Sequence, residues 1–315
     1  MPRPSGTGPG SELPANAHRV RSLGYRTDLL LAGLDGELRA GDGWVAARVP
    51  SSPLFWFGNF VVFDAPPGAG DVAEWEATFD RALDGVPVLT RHFGWDVAPT
   101  GPGDGGSAEV CASSNPSALP ASPLREPGGA KAPLNGGVAA FVEAGYTLIE
   151  SVVLRCNAPV PAVRSHPTAE VRPLAGDAEW DRVLEIQRGS LPSQRGSTGF
   201  ATFQEQQLAR DRRLVEAGLG VWYGAFVEGE LLATMGLYVV GGIGRCQAVA
   251  TAPEARRQGL AAALVHAVVT RGLAEQGARE VAMITTPNGP AERVYRSVGF
   301  QSVERIASLA RARSG

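Results

Sequence analysis

The amino-acid sequence predicts an α/β fold in which a mixed β-sheet is flanked by helices, with two such domains in tandem. Three observations support this prediction. The second half alternates between residues spaced as in strands and residues spaced as in helices. A Pro-rich break at 157–167 divides the chain into two parts of domain size. The length of 315 residues is also sufficient for two domains with a core each.

The elements of the second half follow from local signals. Trp180, Val183 and Ile186 recur at helical spacing, Gly229 lies in a hairpin turn, and Gly277 ends a long helix. In chain order we predict strand 169–174, helices 177–191 and 201–217, strands 220–227, 231–240 and 245–251, helix 258–276, strand 280–286, helix 290–298 and strand 300–309. This order is typical of an α/β domain with a mixed sheet.

Two segments lack the apolar residues that a core requires. Residues 1–17 are rich in Pro, Gly and Ser without the apolar run of a secretory signal, so we expect a disordered tail. Residues 98–137 contain no aromatic residue, and we interpret them as a floppy insertion. The predicted organisation is therefore a first domain over 18–156, a linker over 157–167 and a second domain over 168–315.

Composition excludes several classes of function. The net charge of −3 does not indicate binding to nucleic acid or to an anionic membrane. No apolar stretch is long enough to span a bilayer. The three cysteines, Cys111, Cys156 and Cys246, form neither a metal-binding pattern nor a disulfide framework, and the histidines add no cluster with metal-ligand spacing. We expect a protein of the reducing cytoplasm without a bound metal.

The most informative stretch is the turn that follows the strand 245–251. A helix begins directly after this turn, and the N-terminus of a helix presents unpaired N–H groups that favour a phosphate. Gly259 lets a pyrophosphate approach the backbone, Ala261 keeps the next inward position small, and Arg256 and Arg257 add positive charge.

The sequence Arg256-Arg257-Gln258-Gly259-Leu260-Ala261 resembles the R/Q-x-x-G-x-G/A signature of the GNAT superfamily of acetyl-CoA-dependent N-acetyltransferases. Farther along the chain, residues 288–300 resemble the family's second cofactor motif, N-x-x-A-x-x-x-Y-x-x-x-G-F. The resemblance covers residues 169–304, and it implies a GNAT-like fold with acetyl-CoA as acyl donor. It assigns cofactor binding to Val249, Ala250, Thr251, Arg256, Arg257, Gln258, Gly259, Leu260, Ala261, Asn288, Ala291 and Tyr295.

The resemblance also implies direct attack of an amine on the thioester. It implies that an unpaired backbone N–H, expected at Val249, polarises the carbonyl, and that Tyr295 protonates the leaving thiolate. The strand before the turn carries no carboxylate, so the general base stays open among Glu185, Glu205, Glu292 and a chain of waters. Each of these glutamates is more typical of a solvated charge on a helix face.

A short internal repeat indicates that the first domain is a degenerate copy of the second. Residues 141–150 align with residues 295–304 at one constant offset, and both read as a helix, a glycine stop and a strand. Phe141 takes the position of Tyr295, and no counterpart of the phosphate turn precedes it. We therefore expect cofactor binding in the second domain alone. The aromatic residues expected to form the core of the first are Trp56, Phe57, Phe60, Phe63, Phe93 and Trp95.

Two classes of function are consistent with these patterns. The first is an N-acetyltransferase acting on a small amine, with transfer to a protein N-terminus or lysine as a variant. The second is an acyl-CoA-binding module without turnover, which the missing carboxylate favours and Tyr295 disfavours. Neither the acceptor nor the oligomeric state follows from the sequence, and an oligomer is compatible with it.

Overall fold

The computed structural model describes residues 19–96, 136–190 and 198–313. The predicted tail lies outside this part of the chain, as does the predicted insertion except for residues 136 and 137, which begin a helix. In chain order the elements are α1 (Leu23–Ala32), β1 (Glu37–Gly41), β2 (Trp44–Arg48), β3 (Phe60–Phe63), α2 (Val72–Ala82), β4 (Thr90–Trp95), α3 (Gly136–Glu143), β5 (Thr147–Cys156), β6 (Glu170–Pro173), α4 (Asp177–Ser190), α5 (Thr198–Glu216), β7 (Val221–Val227), β8 (Glu230–Val240), β9 (Ile243–Thr251), α6 (Leu260–Glu275), β10 (Glu280–Thr285), α7 (Pro290–Ser297) and β11 (Gln301–Ala312).

All strands belong to one mixed sheet in the order β1-β2-β3-β4-β11-β5-β10-β9-β8-β7-β6. The parallel pairs are β3 with β4 and β9 with β10, while the other neighbours are antiparallel. Helices α2, α3, α6 and α7 pack on one face of this sheet, and α1, α4 and α5 pack on the other. The prediction of an α/β fold with a mixed sheet flanked by helices is confirmed, and the elements of the second half agree with the predicted ones to within three residues.

The two halves of the chain exchange their last strands. Strand β5, from the first half, pairs with β10 of the second half, and β11, from the second half, pairs with β4 of the first. The exchanged strands also pair with each other along most of their length. The halves therefore share one continuous sheet, with the pair β5 and β11 at its centre.

The same sequence of elements occurs in both halves. The first contains β3-α2-β4-α3-β5, and the second contains β9-α6-β10-α7-β11. Helices α3 and α7 end alike. Gly145 has φ +88° and Gly299 has φ +101°, and the following amide bonds back five residues in both, from Tyr146 to Phe141 and from Phe300 to Tyr295. This is the Schellman ending that a glycine permits.

The core of the first half contains a cluster of aromatic residues. The ring of Phe93 is fully buried, and four aromatic residues surround it: Trp75, Phe79, Phe141 and Tyr146. The ring centroids of contacting pairs in this cluster lie 5.1–5.8 Å apart. Of the aromatic residues predicted for this core, Phe60, Phe63, Phe93 and Trp95 are buried, Phe57 is half-buried, and the side chain of Trp56 lies outside the described part of the structure. No helix in the described ranges is long and apolar enough to cross a membrane.

Candidate active site

Strands β9 and β10 pair for only three residues and then separate. Their register runs from Ile243 opposite Glu280 to Arg245 opposite Ala282, although β9 continues to Thr251 and β10 to Thr285. A β-bulge in β9 at Ala248, which has φ +47°, accompanies the separation. Within the described ranges, the backbone of residues 246–251 thus has no partner strand on the β10 side. Val249, Ala250 and Thr251 border this opening.

The turn after β9 places the start of a helix at the mouth of the opening. A short 3₁₀ turn over Pro253–Ala255 leads to Arg257 with φ +62° and Gly259 with φ +85°, and α6 begins at Leu260. The first N–H groups of α6 have no partner within the helix, and the positive end of its dipole adds to them. Leu260 is buried and Ala261 is half-buried. This geometry suits an anion such as a pyrophosphate.

The side chains of the turn make local contacts. The Arg256 guanidinium donates from Nη2 to the Gly189 carbonyl, 3.2 Å away at the end of α4. Gln258 donates from Nε2 to the Glu254 carbonyl at 3.4 Å. Arg256 and Arg257 are exposed. The turn therefore carries two exposed positive charges, one of which is anchored to α4.

The predicted linker reaches this turn, which the sequence did not indicate. The His166 amide donates to the Gly259 carbonyl at 3.4 Å. A Cβ on Gly259 would lie 2.7 Å from the Arg164 carbonyl oxygen and 2.8 Å from the His166 nitrogen. A glycine is thus required at position 259 because the backbone is left-handed and because the linker leaves no room for a Cβ. The sequence suggested only a third reason, the close approach of a phosphate.

The second motif forms the start of α7. Asn288 has φ +60°, and its amide donates to Glu292 Oε2 at 2.6 Å. Glu292 is 6% exposed, and its Oε1 accepts from Arg296 Nε at 2.8 Å. The expectation that Glu292 is a solvated charge is wrong, because its carboxylate closes the first turn of α7 and is buried by doing so. Ala291 is half-buried against the core.

Tyr295 is buried on the α7 side of the opening. It is 6% exposed and belongs to the same core cluster as Val298 and Phe300. Burial raises the pKa of its phenol well above the usual value, Cys246 raises it further, and Arg245 opposes the shift. Cys246 and Arg245 lie on β9 where it leaves β10, so the groups that act on the phenol are at the base of the opening. The phenol stays protonated at neutral pH.

The other proposed bases are held by arginines. Glu185, at 65% side-chain exposure, pairs with Arg182 at 3.0 Å. Glu205 pairs with Arg188. The expectation of charges on helix faces fits these two residues. In the ranges that the structure covers, no three His, Cys, Asp or Glu side chains come together as a metal site.

A cavity lies on the opposite face of the sheet, and sequence analysis missed it. Its walls come from α1, β4, β5, β9, β10 and β11, so both halves contribute. The buried pair of Asp28 on α1 and Arg245 on β9, at 3.0 Å, lines it together with Gln247. These partners are 217 residues apart in the chain, so no local pattern marks them.

The N-terminus of α1 is fixed to the sheet by two carboxylates. Asp96 Oδ1 accepts from the Ser22 amide at 2.8 Å, and Glu304 Oε1 accepts from the Gly24 amide at 2.6 Å. The Ser22 hydroxyl also caps the helix by accepting from the Tyr25 amide. The position of Asp28 above β9 is therefore determined by contacts of α1 with both halves of the chain.

Comparison with known proteins finds a family similarity within the second half. The model of the acetyltransferase (GNAT) family matches residues 180–300. These residues are similar to that family, and residues 180–300 are called the GNAT domain after this similarity. No curated protein sequence matches the chain. The GNAT domain includes β9, the turn, α6, β10 and α7, which are the elements that surround the opening.

Solved structures share the fold at low identity. A functionally unknown conserved protein from Staphylococcus epidermidis has a TM-score of 0.64 at 11% identity, covering 89% of this chain and 96% of its own. A GCN5-related N-acetyltransferase from Kribbella flavida has 0.56 at 14%, covering 93% and 97%. Another from Sphaerobacter thermophilus has 0.50 at 16%, covering 88% and 83%. The similarity extends beyond the GNAT domain into the first half.

Proposed function

We propose that the protein transfers an acetyl group from acetyl-CoA to a primary amine by direct attack while both substrates are bound. The observation that carries the proposal is the opening between β9 and β10, which leads directly to the N-terminal turn of α6. A strand edge with unpaired amides, followed by a phosphate-binding helix start, suits a long thioester with a pyrophosphate at its far end.

Each part of the opening has a role in this proposal. The Val249 amide, next to the bulge, polarises the thioester carbonyl, while Ala250 and Thr251 continue the exposed strand edge. The amides of Gln258, Gly259, Leu260 and Ala261 hold the pyrophosphate, and Arg256 and Arg257 offset its charge. Asn288 and Ala291 border the arm of the donor from the α7 side.

Tyr295 acts as the general acid. The neutral amine nitrogen bonds to the carbonyl carbon and releases one N–H proton to solvent, the carbon–sulfur bond breaks, and the sulfur takes the proton of the phenol. The raised pKa of Tyr295 suits this role because the phenol is fully protonated before the reaction. The raised pKa also makes the tyrosinate form of Tyr295 unfavourable. The phenol therefore regains its proton from solvent after each turnover.

We also propose that the first half, residues 18–156, is a degenerate copy that binds no cofactor, joined by the linker 157–167 to a catalytic domain over 168–315. The repeated element order and the matching ends of α3 and α7 support this division. Phe141 takes the place of Tyr295, and β3 stays paired with β4 up to its last residue, Phe63 opposite Trp95, so no comparable opening forms there.

A second candidate is an acyl-CoA-binding module without turnover. It is favoured by Gln247, since the strand beside the opening carries no carboxylate to deprotonate an ammonium. Formation of CoA thiol from acetyl-CoA, measured with and without a panel of primary amines, separates the two candidates. Amine-dependent release supports the transferase, and binding without release supports the module.

The variant Tyr295→Phe tests the assigned acid, with Tyr223→Phe as matched control. Tyr223 is also a buried tyrosine of the GNAT domain, but its hydroxyl accepts a hydrogen bond from Gln276 at the C-terminal end of α6. Loss of a general acid is expected to lower kcat by roughly 100-fold or more without changing the acetyl-CoA Kd. Equal kcat for both variants would remove Tyr295 from the mechanism.

A further inference from the structure

The linker 157–167 lies against two glycines of the GNAT domain, one before α6 and one after α7. A Cβ on Gly259 would lie 2.7 Å from the Arg164 carbonyl oxygen, and a Cβ on Gly299 would lie 2.9 Å from the Ala158 carbonyl oxygen. Each glycine belongs to one of the two sequence motifs, and each has positive φ. The linker backbone therefore passes close to both motifs.

Backbone hydrogen bonds attach the linker at the same two places. The Val160 amide donates to the Val298 carbonyl at 2.9 Å, and the His166 amide donates to the Gly259 carbonyl at 3.4 Å. The Gly259 carbonyl also accepts from the Ala263 amide at 3.0 Å, which begins the hydrogen bonding of α6. The linker is thus bonded to the residue from which the first turn of α6 starts.

Between these two places the linker packs on the GNAT domain. Ala162 is 8% exposed and belongs to the core cluster that includes residues of α6 and α7, whereas its neighbour Val163 is fully exposed. Three prolines stiffen the segment: Pro159, Pro161 and Pro167. A Pro-rich segment behaves as a semi-rigid spacer, so the distance between its two attachment points has little freedom to change.

The matching glycine of the first half has no backbone against it. Gly145 ends α3 as Gly299 ends α7, but among the residues that the structure describes a Cβ on Gly145 would meet only the Arg311 side chain, at 3.6 Å. That distance is an ordinary van der Waals contact. The helix ending that both halves share therefore does not itself require the linker. The contact is a feature of the half in which acetyl-CoA binding is proposed.

We propose that the linker acts as a strap that holds the start of α6 and the end of α7 in the positions that acetyl-CoA requires, so that the attached linker and bound acetyl-CoA stabilise each other. The proposal rests on the function proposed above. Gly259 belongs to the proposed pyrophosphate site, and Gly299 follows Tyr295 by one helical turn. With the linker attached, the turn before α6 is ordered before the ligand arrives, so binding does not bear the cost of ordering it.

This coupling is reciprocal, which makes it measurable from both sides. If attachment of the linker strengthens acetyl-CoA binding by some factor, saturating acetyl-CoA suppresses detachment of the linker by the same factor. Detachment breaks the hydrogen bonds of the Val160 and His166 amides, so the hydrogen exchange of these amides reports it. Fixing the backbone of one residue of the turn corresponds to a factor of roughly ten.

The first test measures amide hydrogen exchange of the wild type by mass spectrometry, without and with saturating acetyl-CoA. Exchange of the Val160 and His166 amides is expected to slow roughly tenfold when acetyl-CoA binds. The Tyr146 amide is the control, because it closes the matching helix ending of the first half by donating to the Phe141 carbonyl at 2.9 Å. Its exchange should stay the same. Unchanged or faster exchange at Val160 and His166 with acetyl-CoA bound would overturn the proposal.

The second test compares Ala162→Gln with Val163→Gln by calorimetry with acetyl-CoA. A glutamine at the buried position 162 detaches the linker, whereas at the exposed position 163 it remains in solvent. Both variants keep the net charge, so the attraction of the site for phosphates is the same. Ala162→Gln is expected to raise the acetyl-CoA Kd roughly tenfold, as in the exchange experiment, and Val163→Gln to leave it unchanged. Equal Kd values, or tighter binding by Ala162→Gln because the linker competes with the ligand, would contradict the proposal.

Calorimetry on the wild type separates this proposal from the one on which it rests. If acetyl-CoA does not bind the wild type, the proposed function fails, and the role of the linker fails with it. If acetyl-CoA binds while the exchange of the linker amides stays the same, the proposed function stands and the linker proposal alone is wrong. Should Ala162→Gln not fold, the exchange experiment decides, because it uses the wild-type chain.

Discussion

The backbone conformation, the contact with the linker and the proposed cofactor each require a glycine at position 259. The variant Gly259→Ala tests these three requirements. The alanine would keep φ +85° only at a conformational cost, which is roughly 1–2 kcal/mol for a left-handed residue with a Cβ. Its methyl group would also lie 2.7 Å from the Arg164 carbonyl oxygen, so the linker must move. Such overpacking typically adds about 1–3 kcal/mol. We expect Gly259→Ala to lose about 2–5 kcal/mol of unfolding free energy.

Gly277→Ala is the matched control at the other end of α6. Gly277 has φ +76°, and a Cβ there would meet nothing within 4 Å. This variant therefore carries the conformational cost alone, and we expect a loss of about 1–2 kcal/mol. The difference between the two variants isolates the contact of the turn with the linker.

Urea unfolding followed by circular dichroism gives both free energies, and calorimetry gives the acetyl-CoA affinity of each folded variant. Gly259→Ala is expected to weaken acetyl-CoA binding because the displaced linker borders the proposed pyrophosphate site. Gly277→Ala is expected to bind as the wild type does. Equal losses of stability together with equal affinities would refute the reasoning for both the linker contact and the cofactor site.

Three further predictions concern stability. Glu292→Ala removes the carboxylate that accepts from the Asn288 amide, and we expect a loss of about 1 kcal/mol in urea unfolding; an unchanged midpoint would contradict the capping role. Arg210→Lys should lose about 2–4 kcal/mol, because only Arg reaches both oxygens of Asp35 from a side chain that is 2% exposed, and a loss below 0.5 kcal/mol would contradict this. Burial raises the pKa of Asp211 from 3.8 to about 6, so its protonated form stabilises the fold below pH 4 and this contribution is lost as the pH rises to 6. Asp211→Asn should gain on the order of 3 kcal/mol relative to wild type across that window, and a difference independent of pH would refute it.

The elements of the GNAT domain could be predicted because local signals mark them. Gly277 and Gly299 take positive φ at the ends of α6 and α7, as predicted from their positions. Glu228 and Gly229 both take positive φ in the two-residue turn between β7 and β8. Each of these signals acts within a few residues, which is the range over which sequence patterns are informative.

The exchange of β5 and β11 could not be predicted, because strand pairing across the two halves leaves no local pattern. The same limit applies to Asp28, whose partner Arg245 lies in the other half. Glu292 was expected to be a solvated charge on a helix face, whereas it is buried. Its burial depends on the turn at Asn288, which only the folded backbone reveals.

Isothermal titration of the purified protein with acetyl-CoA, compared with desulfo-CoA and ATP, tests the central claim most directly. We predict selective binding of acetyl-CoA at one site per chain, in the opening that the GNAT domain forms and the first half does not. Absence of binding, or two equivalent sites per chain, would contradict the account.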